Sequence, residues 1–82
     1  MSTDQALLTI VRVVGPYVGE TMARSAAAAH CQKLGIAGEV GGEQLDALVA
    51  RLGSGLNIFL GRDKSARVVA ELRQALQAGG AS

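Results

Sequence analysis

The chain predicts an all-α fold, a compact bundle of four short helices, or five if a glycine-rich stretch divides the third. Three observations lead there. Leu45, Leu48, Leu52, Leu56, Phe59 and Leu60 recur at steps of three and four residues, a spacing that returns side chains to one face of an α-helix. Nowhere does apolar and polar alternation persist long enough to mark a half-buried strand. Hydrophobic residues make up 49% of the chain but are mostly Ala, Leu and Val, with Tyr17 and Phe59 the only Phe, Tyr or Trp. Such a core is built by close approach of helices rather than by large rings.

Thr3 or Asp4 is placed to cap the first helix, whose inner face is Leu7, Ile10, Val11 and Val14. The β-branched run from Thr9 to Val14 also suits a strand, but the i, i+3, i+4, i+7 match favours a helix. Gly15-Pro16 is expected to end it, because proline disfavours helical geometry in the residue before it. Pro16 then opens a second helix, the longest, expected to reach about Leu34 with Gly35 as its left-handed stop. Val18, Gly19, Met22, Ala23, Ala26 and Ala29 share one broad sector of that helix, a small-residue face that admits a neighbouring backbone. The segment 36–42, with glycines at 38, 41 and 42, reads as a mobile connection with a tight turn at Gly41-Gly42.

A third helix starts near Glu43 and meets Gly53-Ser54-Gly55. Two internal glycines cost about 1 kcal/mol each relative to alanine, whereas burying Leu56, Phe59 and Leu60 returns about 1.5–3 kcal/mol each. Burial outweighs propensity, so the spacing predicts one continuous helix; the alternative is a short fifth helix capped by Ser54. Gly61 ends it in either case. Asp63 is expected to cap the last helix, with Val69, Leu72 and Leu76 inward and Asp63, Arg67 and Glu71 in an outer row at steps of four. The tail 78–82 is expected to fray. Without an internal repeat or a linker, 1–82 reads as one small domain.

Size sets the next constraint. A single core in 82 residues typically supplies only about 3–5 kcal/mol of net stability. Lone Cys31 closes no intrachain disulfide, and no Cys/His cluster offers to hold a structural metal. Association with another protein chain, including a second copy as a homodimer, is the remaining source of support. The expected surface is the second helix around Gly19, Met22, Ala23 and Ala26, or the third around Leu52 and Leu56. Eight basic and seven acidic side chains give a net charge of +1, which argues against a dedicated polyanion binder. The longest uncharged run, Leu52 to Gly61, is half the roughly 20 residues that cross a bilayer. No Lys or Arg precedes the first apolar segment, as a secretory signal requires. A cytoplasmic setting and no membrane partner are expected.

His30 is the first residue to weigh for chemistry. The string Ala29-His30-Cys31-Gln32-Lys33-Leu34-Gly35 resembles in part the phosphoacceptor segment of histidine-phosphotransfer domains, themselves helical bundles. The resemblance implies a phosphoacceptor role for His30 and a phosphoryl-neutralising one for Lys33. Leu34 departs from it, standing where that family keeps a glycine, on the same helical face as His30. Cys31 points about 100° away from His30, so the neighbours form no thiolate dyad, and a buried cysteine is expected. Gly53-Ser54-Gly55 lacks the following Lys-Ser/Thr and the preceding strand of a phosphate loop. Arg62, Lys64, Arg67 and Arg73, with Arg51, could offer phosphate contacts, but Asp63 and Glu71 dilute them and no aromatic is placed to stack on bases. These weightings favour a non-catalytic protein–protein interaction or adaptor module of a bacterial signalling or regulatory system, with no cofactor. A phosphotransfer-like domain and a weak nucleic-acid-binding domain are the alternatives.

Overall fold

A computed structural model describes residues 1–81, with side chains through Ala78. Four helices follow in order, α1 Thr3–Val18, α2 Glu20–Lys33, α3 Gly42–Leu60 and α4 Arg62–Ala81, with no strand among the described residues. This is the all-α bundle that the spacing predicts. Of the stretch 78–82 expected to fray, 78–81 continue α4 as helix, and Ser82 lies outside the described residues.

The start of α1 corrects the expected cap. Ser2, not Thr3 or Asp4, is the N-cap: its Oγ accepts from the Gln5 N–H at 3.1 Å, and the Gln5 side chain accepts from the Ser2 N–H at 3.3 Å. This reciprocal pair satisfies two of the donors that a helix start leaves open. The helix then runs through Gly15-Pro16 instead of ending there. Part of the clash that bars helical geometry before a proline involves the preceding Cβ, and Gly15 has none. The chain breaks at Gly19, whose φ of +99° suits glycine and whose N–H donates to the Gly15 carbonyl at 2.7 Å. Hence Pro16 and Tyr17 close α1 rather than open α2, and α2, at 14 residues, is the shortest of the four helices. It does stop at Lys33, with Leu34 as C-cap and Gly35 at φ +70°.

The connection 36–42 is tied down, contrary to the expected mobile segment. Ile36 and Val40 are buried in the core. The Thr3 N–H donates to the Gly38 carbonyl at 2.7 Å and the Val40 N–H to the Met1 carbonyl at 2.8 Å. Gly41-Gly42 forms no separate turn. Gly41 is the N-cap of α3, its N–H donating to Gln44 Oε1 at 3.0 Å, and Gly42 is the first helical residue.

Continuity of α3 through Gly53-Ser54-Gly55 holds, and Gly61 ends it at φ +85°. Gly53 faces α4 closely. A Cβ there would meet Val69 Cγ2 at 3.2 Å, and the buried Ser65 hydroxyl donates to the Gly53 carbonyl at 3.2 Å. Asp63 lies in the first turn of α4, which begins at Arg62, one residue before the expected cap. Val68, Leu72 and Leu76 are the buried apolar positions of α4, in line with buried Ser65, and Val69, expected inward, is only half-buried at the edge of that row. Together with Ile10, Val14, Leu48, Val49 and Leu52 they build one continuous core. Within it α1 packs closely on α2, and α3 on α4; α1 also packs on α4, and of these neighbouring pairs α2 and α3 meet most sparsely.

The glycines make a direct test. Gly55 has helical geometry and nothing within 4 Å of an added Cβ, so Gly55→Ala should stabilise by up to about 1 kcal/mol. Gly61→Ala should destabilise by about 1–3 kcal/mol, because its backbone region is nearly closed to other residues. Urea unfolding midpoints of the two variants check this; equal shifts of one sign would contradict the geometry.

Candidate functional site

The sparse contact between α2 and α3 leaves a groove. Its α2 wall is Met22, Ala23, Ala26 and His30, its α3 wall Leu52, Gly55, Leu56 and Phe59, and Val14 and Val18 of α1 contribute at the base of the seam. The volume is about 280 Å³, just under the roughly 300–1,000 Å³ of sites that enclose small molecules. Five of the six positions expected at an interface, Met22, Ala23, Ala26, Leu52 and Leu56, line this one groove. The sixth, Gly19, serves instead as the break between α1 and α2.

Phe59 departs from its expected burial. Eleven residues separate it from Leu48, about 20° from a whole number of turns, so its phase is that of the core-facing side. Leu48 is fully buried, yet Phe59 is 57% exposed. Its neighbours across the seam end in alanines and the flexible Met22, itself 49% exposed. The ring has the right direction and no cover. Ile58, 90% exposed, points about 100° away from Phe59 around α3 and does not line the groove.

His30 is the groove's one titratable lining residue. Its Nδ1 is buried without a hydrogen-bond partner. An unpartnered buried N–H is costly, which places the ring hydrogen of the neutral form on the more accessible Nε2. Burial, chiefly, and then the charges of Arg51 and Lys33 hold the imidazole below its usual 6.5. Cys31 faces the core instead, and burial pushes its thiol up, so it stays protonated near neutral pH. Lys33 is exposed in the last turn of α2, and Leu34 is half-buried beside it.

The basic residues of α4 do not gather on one face. At about 100° per residue, Arg62 and Arg73 fall on one side and Lys64 and Arg67 on nearly the opposite one, with Glu71 aligned between the latter pair. Arg73 is engaged by Asp46 at 3.1 Å across the α3–α4 seam. Tyr17, which closes α1, donates its hydroxyl to Glu71 Oε1 at 3.4 Å rather than to water alone. Two other depressions are more polar: one beside α1 and α2 is edged by Arg12, Glu20 and Arg24, and one between α3 and α4 by the Arg73–Asp46 pair. Among the described residues no group of three His, Cys, Asp or Glu side chains is placed to share a metal ion, and no helix is long and apolar enough to cross a membrane. No protein-family model, curated protein or solved structure matches the chain.

The His30 environment has a measurable consequence. Because its folded value is depressed, the unfolded chain binds more protons than the folded one just below pH 6.5. That contribution to stability is therefore present above 6.5 and is lost as pH falls through the folded value. Melting temperatures should rise between about pH 5 and pH 7 in wild type and rise less in His30→Gln, since carboxylates titrate mostly lower. Identical slopes in the two proteins would contradict this placement of His30.

Proposed function

We propose that the chain is a non-catalytic interaction module that docks an apolar helical segment of another protein in the groove between α2 and α3. The observation that carries this reading is Phe59, which has the phase of a core residue and lies 57% exposed at the groove's edge. Covering an aromatic ring of this kind releases water from a large apolar area, and such rings anchor protein interfaces. The groove's apolar walls supply the surrounding surface. A bacterial signalling or regulatory adaptor, acting in the cytoplasm, is the setting that fits such a module. The position of His30 favours a wall of this groove over a phosphoacceptor: the family it resembles presents its histidine on an open face, whereas here Nδ1 is covered and apolar side chains flank the ring. The division of the α4 cations over two sides favours protein docking over a phosphate-binding face.

Selection of displayed helical peptides against the protein tests the reading. Enriched sequences should carry apolar residues at i, i+3 or i+4, and i+7. Phe59→Ser should weaken their binding at least about tenfold, the scale of an interface anchor. Selected peptides that bind Phe59→Ser as tightly as wild type would place the interaction elsewhere.

A further inference from the structure

The groove is uneven in charge along its length. On α2 its lining runs from Met22 to His30, and on α3 from Phe59 back to Leu52, so the helices pass it in opposite directions. One end is apolar, with Met22 and Phe59. At the other, His30 feels the positive charges of Arg51 and Lys33 and no acidic side chain. No carboxylate lines the groove. The nearest acidic residue along α2 is Glu20, which edges the separate depression beside α1 and pairs with Arg24 at 3.6 Å. Lys33 also lies in the last turn of α2, where its charge is drawn to the terminal carbonyls. Arg51 has no carboxylate within ion-pair distance among the described residues and is the stronger attractor for an incoming anion.

Resting on the docking reading above, we infer that the occupant is an acidic amphipathic helix from a different protein, its apolar stripe in the groove and a carboxylate at the His30–Arg51 end. The length fits. Met22 to His30 spans about 12 Å at 1.5 Å per residue, which matches apolar side chains at i, i+4 and i+7 of a docked helix. A glutamate one turn beyond the stripe then reaches the Arg51 guanidinium, and the Nε2–H of His30 offers it a further donor. A helix carrying lysine at that place meets only like charge. Charge thus selects the partner and its direction in the groove, while apolar contact holds it.

The experiment uses a fluorophore-labelled peptide with leucines at i, i+4 and i+7 and two glutamates one turn beyond, together with its twin bearing lysines in their place. Binding to the intact chain is read by anisotropy. The glutamate peptide should bind roughly three- to tenfold more tightly than the lysine twin, the scale of one or two partly exposed ion pairs. That preference should vanish in Arg51→Gln and shrink at about 1 M salt. Both peptides should be released by Phe59→Ser, with Met22→Ser as a second variant should Phe59→Ser unfold. The His30 ring, followed by NMR, should titrate at higher pH with the glutamate peptide bound. Equal affinity for the twins, with both released by Phe59→Ser, would overturn the acidic partner and leave groove docking standing. Failure of both peptides to bind would remove the docking reading itself. Glutamate-peptide binding that survives Phe59→Ser and Met22→Ser would overturn the inference as adhesion outside the groove. A concentration-dependent dimer dispersed by Phe59→Ser would name a second copy as the occupant and overturn it as well.

Discussion

A mismatch of side-chain size across one seam shapes this bundle. The inward positions of α2 are Ala23, Ala27 and Cys31, and those of α3 are Leu48, Val49, Leu52 and Leu56. Alanines let α2 lie close to α1, where Ile10, Val11 and Val14 supply the bulk. They cannot also fill the space toward α3. Leu48 escapes the shortage because it is covered in the heart of the core, whereas Phe59, further along the same face, is left open. The groove is therefore a consequence of composition: a core with few aromatics and many alanines packs tightly in some directions only by leaving others unfilled.

The rest of the fold makes that seam persistent. Gly19 and Gly61 reverse the chain at positive φ between α1 and α2 and between α3 and α4, so each helix pair forms a tight hairpin. The Ser65 bond to the Gly53 carbonyl and the close approach of Gly53 to Val69 fix α3 on α4. Main-chain bonds from Thr3 and Val40 hold the long connection against the N-terminal segment. With both hairpins and their connection braced, sliding α2 toward α3 to close the groove would break one set of contacts to make another. His30 enters this balance as a neutral ring, since Arg51 and Lys33 oppose its protonation and burial does so more strongly.

Much of this was legible in the residues, and the exceptions share a physical origin. The α3 stripe is readable because leucines at steps of three and four leave little alternative to a helix, and burial outweighs two glycines. Gly61 and Gly35 stop their helices as expected, because left-handed glycine is a local requirement. α1 runs past Gly15-Pro16 because the rule against helix before proline rests partly on a Cβ that Gly15 does not have. The cap at Ser2 is legible too, since Gln5 stands three residues on in the pattern of a capping box. The segment 36–42 looked mobile from its glycines, and only its distant partners at Met1 and Thr3 show otherwise. At the site, Met22, Ala23, Ala26, Leu52 and Leu56 could be named from two helix faces considered separately. That those faces adjoin, that Val14, Val18 and His30 join them, and that Phe59 lacks cover are tertiary facts. A phase calculation gives a side chain's direction and says nothing about what faces it.

Ala26 puts the size mismatch to its most direct test. It is half-buried in the wall of the groove, and leucine there would extend into the unfilled space toward Leu52 and Leu56. The denaturant midpoint of Ala26→Leu should rise, since each newly buried methylene contributes up to about 0.8 kcal/mol. A lowered midpoint, with a stability loss of about 1–3 kcal/mol, the usual cost of overpacking, would mean that the seam is already full and that the groove is not a product of small side chains on α2.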